Sequence, residues 1–342
     1  MSNLPKKSAT LFGRLTIIAT KILTPNVRKN RIGVLSSRPG PHANRPDDRR
    51  RDPYPDGDRL VSAGHQHPPR KFHDRPAAVG RLRVRRRGRR PDINSGGQPP
   101  PSASVAIVEV HAGERGDLLL RLARDFTAES VRAIARRGFF SAAVPGGSVA
   151  VNCFPALAAL PLDWRQLQCF WVDERSVAPS DPESNYGLAR KLWLDPAGVP
   201  GTSIHRMPAD AADLAAAATA YSEDLTNVLG PSAALDFVLL GVGPDGHVAS
   251  LFPQHPALEY EDRLVAAVFD APKPPPRRLT LTMPVLAGAE RLVVVAFGEE
   301  KAEVLREAVE RDDSPLPLAA VLRRSRRPLV LADRDAASLL QP

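Results

Sequence analysis

The sequence predicts an α/β protein: a mainly parallel, doubly wound sheet with helices on both faces, preceded by a disordered N-terminal extension. Three observations predict it. From Ser104 onward, short apolar runs rich in β-branched residues alternate with longer stretches at helical spacing, the pattern of repeated strand–helix units. Glycine-rich segments stand directly after two of those runs, at 145–148 and 241–247, where open α/β sheets collect ligands. The 342-residue chain also divides by charge. Residues 1–100 carry 23 Lys and Arg against 7 Asp and Glu, a net of +16, and the remainder carries −7, so the whole-chain value of +9 describes neither part.

The elements follow in order. Residues 1–103 read as an Arg- and Pro-rich extension and linker, and 104–342 as a catalytic domain. The first 100 residues hold 13 Pro and no Glu, with seven Arg between 81 and 90. Apolar periodicity fades after Leu35, and such a composition buries too little apolar surface to offset its ordering entropy. Four readings stay open for it. It is a transit peptide to an organelle, since the first 46 residues hold nine Lys and Arg and no acid. It is an electrostatic nucleic-acid arm. It is translated upstream sequence joined to a compact enzyme, or a plain solvated tail. No aromatics interleave with the Arg run, against stacking on single strands, and nucleic acid is not the expected partner.

Val105–Val110 reads as a strand, and 117–137 as a helix with Leu118, Leu122, Phe126 and Ile134 on one face. Strands follow at 139–144 and 167–172, the first leading through Gly146-Gly147 into a helix. Alanine-rich 209–229 reads as a helix and 236–241 as a largely apolar strand. Residues 278–282 alternate like a half-buried strand. A strand at 291–297, a helix at 299–310 and a short strand at 328–331 complete the domain. No 18-residue apolar window exists, so no helix spans a bilayer and no membrane partner is expected. Cys153 and Cys169 cannot build a disulfide framework, and no CxxC pair offers a zinc site. A reducing, cytoplasmic setting is the simpler expectation, with an organelle as the alternative. The chain is expected to act as a monomer.

The chemistry gathers at strand ends. Gly146-Gly147-Ser148 lies between strand and helix, where slim backbone and free N–H groups can meet an anion. Without context it also reads as a plain turn, and no Gly-Lys-Ser/Thr follows to make it a P-loop. Asp173-Glu174-Arg175 puts an arginine fork just past a strand, and equally suits a local ion-pair cluster. Gly241-Val-Gly-Pro-Asp245-Gly-His247 is the strongest signal: a tight turn delivers a histidine with an acid two residues before it, and histidine suits general-base work near neutral pH. Lys273-Pro-Pro-Pro-Arg277-Arg278 holds cations on a stiff run. Lys301 opens a helix, where a cation opposes the dipole unless an anion sits there.

These blocks together resemble the 6-phosphogluconolactonase family, in order, over residues 105–342. Gly146-Gly147-Ser148 matches its Ser-Gly-Gly-Ser loop, with Pro145 in place of the first serine. Asp173-Glu174-Arg175, Ser184-Asn185-Tyr186, Leu240–Pro253, Pro272–Thr282 and Gly298–Ala302 match its further blocks. The resemblance implies a fold like that of the glucosamine-6-phosphate deaminases, no cofactor and no metal. It implies hydrolysis of 6-phospho-D-glucono-1,5-lactone to 6-phosphogluconate, the second oxidative step of the pentose phosphate pathway. His247 is then the general base and Asp245 its partner, with glycine-turn N–H groups facing the oxyanion. Gly146, Gly147, Ser148, Arg175 and Lys301 would hold phosphate with help from Arg278, and Asp173 and Asn185 would meet the sugar. The deaminases instead carry Asn-Glu-Pro after the Gly-His turn; here Ser250-Leu251-Phe252-Pro253 follows and no carboxylate appears until Glu259. Val149-Ala150 stands where the family often has Thr-Pro, which removes one hydroxyl donor to phosphate.

Overall fold

The computed structural model describes residues 79–83 and 107–341. The transit-peptide, nucleic-acid and linker readings fall outside the described residues. Within them, the α/β expectation holds. Six strands, β2 (Ile107–Gly113), β3 (Phe140–Val144), β4 (Leu167–Trp171), β6 (Phe237–Gly241), β9 (Arg291–Ala296) and β10 (Pro328–Asp333), form a parallel sheet in the order β2-β10-β9-β6-β3-β4. Val79–Arg83, inside the segment expected to be unstructured, adds β1 antiparallel to β2 at the edge. A second, antiparallel sheet orders β5 (Asp173–Arg175), β8 (Arg278–Leu281) and β7 (Val265–Val268) as β5-β8-β7.

The apolar runs explain the large sheet. Strands β3, β9 and β10 are buried at every position, as strands covered on both faces must be. The chain steps from β3 to β4 towards one edge, then returns through β6, β9 and β10 towards the other. Right-handed crossovers therefore place α1 (Arg115–Arg137) and α2 (Gly147–Ala158) on one face. They place α4 (Leu214–Leu229), α6 (Ala302–Glu310) and α7 (Pro317–Arg324) on the opposite face. Phe126 of α1 meets Phe140 edge-on at 4.9 Å and Phe237 at 5.2 Å, tying that helix to β3 and β6. Two further helices, α3 (Asn185–Ala189) and α5 (Met283–Ala287), are single short turns. Both cysteines are free and buried.

Three boundaries differ from expectation. The alanine-rich helix starts at Leu214 rather than Ala209, because the Asp213 carboxylate accepts from the N–H groups of Ala215 and Ala216, each at 3.0 Å. Residues 299–301 form a tight 3₁₀ turn, and α6 begins at Ala302. Strand β8 is buried at all four positions instead of half-buried. Its polar side chains turn to protein rather than water: Thr280 Oγ1 accepts from the Ser250 N–H at 3.2 Å, and Arg278 reaches loop carbonyls.

Candidate active site

Strands β3 and β6 are neighbours, with Ala142 opposite Phe237 and Ala143 opposite Val238, yet the chain leaves them in opposite directions. That reversal opens a crevice at their carboxyl ends. A cavity of about 220 Å³ lies there. Eight of the ten expected site residues line it: Gly146, Gly147, Ser148, Asp173, Arg175, His247, Arg278 and Lys301. Asp245 and Asn185 stand behind the lining.

The β6 turn builds a histidine–carboxylate pair. The Gly243 N–H donates to the His247 carbonyl and the Gly246 N–H to the Gly243 carbonyl, each at 2.9 Å, closing the turn. His247 Nδ1 bonds Asp245 Oδ1 at 2.5 Å, which leaves Nε2 as the nitrogen for the cavity. Phe252 backs the imidazole at 4.6 Å between ring centres. Position 243 has no room for a side chain: a Cβ there would lie 2.0 Å from the His247 ring. Burial lowers the proton affinity of His247 below the ordinary histidine value of 6.5, and the neighbouring Lys273 adds to that against the pull of Asp245. Burial also acts to raise the Asp245 carboxyl, but hydrogen bonds from His247 and Lys273 outweigh it and hold it below 3.8. The closed turn corrects one expectation. The N–H groups of Gly243 and Gly246 are committed to the turn, so they are not free to meet an oxyanion.

The β3 turn builds the opposite wall. Gly146 opens α2 with no side-chain cap, so the helix start presents uncapped N–H groups and the positive end of its dipole to the cavity. Gly146 itself is required for packing, since a Cβ would lie 1.7 Å from Asn185 Oδ1. Two cations face the same space. Arg175 donates from one terminal nitrogen to the Glu183 carbonyl at 2.9 Å, while its buried Nε has no partner. Lys301 is 13% exposed, with Glu300 Oε1 at 3.6 Å as its ion pair. A mostly buried ammonium so thinly compensated favours an anion beside it. The Asp333 carboxylate accepts from the Gly298 N–H at 3.0 Å and so fixes the turn that carries Lys301. Among the described residues, no cluster of three His, Cys, Asp or Glu side chains could hold a metal ion.

Two expected ligands make hydrogen bonds within the wall. Asn185 is 1% exposed, and its Nδ2 donates to the Asp173 carbonyl at 2.8 Å and to Asp173 Oδ1 at 3.1 Å. Its Nδ2 is thereby committed to Asp173. Ser250 Oγ donates to the other Asp173 oxygen at 2.7 Å. Arg278 lines the cavity, but its guanidinium donates to the carbonyls of Lys273, Pro274 and Pro275 at 2.8, 3.1 and 2.8 Å. These bonds use Nε and one terminal nitrogen to hold that loop, while the other terminal nitrogen has Ser250 Oγ at 3.4 Å. Glu174, in the same short motif, is structural. Burial raises its carboxyl above the usual range, although it accepts from the N–H groups of Arg175, Asn185 and Tyr186 at 2.7 to 2.8 Å. The structure also brings in Lys273, whose Nζ lies 3.2 Å from Asp245 Oδ1. In the sequence it is marked by the stiff Pro run beside it and by the family block Pro272–Thr282.

Comparison with known proteins bears on this geometry. Residues 113–330 match the family described as glucosamine-6-phosphate isomerases/6-phosphogluconolactonase. A 6-phosphogluconolactonase of Streptomyces coelicolor is 38% identical over 223 residues, covering 61% of this chain and 85% of the relative. The solved 6-phosphogluconolactonase of Trypanosoma cruzi is 26% identical, with a TM-score of 0.61, over 67% of this chain and 95% of that one. A solved monomeric glucosamine-6-phosphate deaminase, at 22% identity and TM-score 0.58 over 67% of this chain and 99% of that one, shares the fold.

Proposed function

Because the chain belongs to the glucosamine-6-phosphate isomerase/6-phosphogluconolactonase family, we propose that it hydrolyses 6-phospho-D-glucono-1,5-lactone to 6-phospho-D-gluconate. The observation that carries this reading is the His247–Asp245 pair facing a cavity whose other wall is an uncapped helix start with Arg175 and Lys301. The phosphate rests against that wall, which sets the lactone carbonyl towards His247. Neutral His247 takes a proton at Nε2 from a water as its oxygen attacks C1. Asp245 holds the ring through Nδ1 and stabilises the imidazolium that forms. The tetrahedral intermediate then collapses, the bond from C1 to the ring oxygen breaks, and Nε2–H protonates that oxygen. The acid formed loses a proton to water and leaves as the carboxylate.

One further observation separates this chemistry from sugar isomerisation. After His247 the chain runs into Ser250, Leu251 and Phe252, all buried, and Asp173 is the one carboxylate lining the cavity among the described residues. That carboxylate is already held by Ser250 and Asn185. Hydrolysis needs a single base. Moving protons along a sugar chain calls for a further carboxylate of the kind the deaminases carry after this turn.

The test is a coupled assay of lactone opening with 6-phosphogluconate dehydrogenase, corrected for spontaneous opening. The full chain accelerates opening, and His247→Ala lowers the rate by about 10² to 10⁴-fold. An unchanged rate in that variant overturns the assignment of the base.

A further inference from the structure

Lys273 lies outside the cavity lining, on the loop that precedes β8. Its Nζ is 3.2 Å from Asp245 Oδ1, the same oxygen that bonds His247 Nδ1, and 3.5 Å from Nδ1 itself. With the Nδ1 proton donated to Asp245, Nζ and Nδ1 are two donors side by side, and no hydrogen bond joins them. The ammonium therefore attracts the carboxylate and repels positive charge on the imidazole. It is held in place by the grip of Arg278 on the carbonyls of Lys273, Pro274 and Pro275.

From this arrangement we propose that Lys273 is a positioning residue of the hydrolytic site, fixing Asp245 and setting the protonation of His247 through its charge. The role has two consequences along the reaction. Before attack, the cation keeps the imidazole neutral and able to accept a proton at lower pH. After attack, it makes the imidazolium a stronger acid towards the departing ring oxygen. The other charges facing the ring are Asp245, bonded to it, and Asp173, committed to Ser250 and Asn185. Arg278 stands behind Phe252, 5.5 Å from that ring's centre.

The proposal rests on the lactonase reading for its purpose but not for its test. The full chain, labelled with ¹⁵N at its histidine rings, is titrated by NMR as the parent and as Lys273→Met and Lys273→Arg. In Lys273→Met the midpoint of His247 rises by at least about one pH unit, the effect of a unit charge at this distance with the full screening of bulk water. In Lys273→Arg it stays near the parent value. The acid limb of kcat/KM for the phosphorylated lactone moves up with it, while KM on the plateau is unchanged. An unmoved midpoint in Lys273→Met overturns the proposal, as does an equal rise in Lys273→Arg, which would make packing the cause. A chain that shows the NMR shift but opens no lactone refutes the lactonase reading alone.

Discussion

Gly243→Ala tests the site with one methyl group. The added carbon would lie 2.0 Å from Cε1 and Nδ1 of His247 and 2.5 Å from Asp245 Oδ1, against an ordinary contact of 3.4–4 Å. The backbone at 243 is not in the left-handed region, so alanine meets no conformational penalty there. The effect falls on the imidazole, which must retreat by more than 1 Å, and on the Asp245 carboxylate bonded to it, which must also shift. A displacement of that size costs about 10²-fold in rate. The ring can swing towards the open cavity, so the loss of stability stays near the low end of the roughly 1–3 kcal/mol typical of overpacking. Coupled lactone-opening rates and thermal unfolding are measured for Gly243→Ala, His247→Ala and the double variant. With the ring removed, only the Asp245 carboxylate must still give way, and Gly243→Ala then costs less stability than it does in the parent and little further rate. Full activity in the single variant refutes the reasoning, and so does an equal loss of stability with and without the His247 ring.

Three further predictions follow from the electrostatics. Because burial lowers the proton affinity of His247, kcat/KM holds its plateau through neutral pH, and its acid limb falls below pH 6.5. The same group contributes stability that is present above pH 6.5 and is lost as pH falls towards its folded value, because the unfolded chain binds the proton first; pH–rate and pH–melting profiles check both. Arg175→Met and Lys301→Met each raise KM for the phosphorylated lactone by about 10 to 100-fold, the worth of one charge-assisted contact. Neither changes the rate with unphosphorylated gluconolactone, and a parallel loss on that substrate refutes their place at the phosphate.

The sequence was most informative where function demands unusual residues in one short stretch. The turn from Gly241 to His247 is such a stretch: its glycines are needed because the ring, Asp245 and the side chain of Leu316 occupy the space that Cβ atoms would take at 243 and 246. The buried strands were legible for a similar reason, because a strand covered on both faces must be continuously apolar. What escaped depends on partners distant in sequence. Asn185 reads as a polar loop residue, and only the fold shows its amide spent on Asp173. The resemblance offers Arg278 as a helper at the phosphate, and only the fold shows that its Nε and one terminal nitrogen hold three carbonyls of its own loop. Strand β5 is three residues long, too short for any periodicity. The helix before β6 was placed five residues early because a run of alanines hides the stop that Asp213 supplies.

The crevice between β3 and β6 has a consequence for how such enzymes diversify. In the proposed site, the uncapped helix start follows β3, the histidine–carboxylate pair follows its neighbour β6, and the two segments leave the sheet in opposite directions. Each can be altered without rebuilding the other. A change confined to the residues after the Gly-His turn can redirect the chemistry while the handle on the phosphate stays the same. A family whose description spans both isomerases and lactonases is what a scaffold with separable grip and tool would be expected to produce.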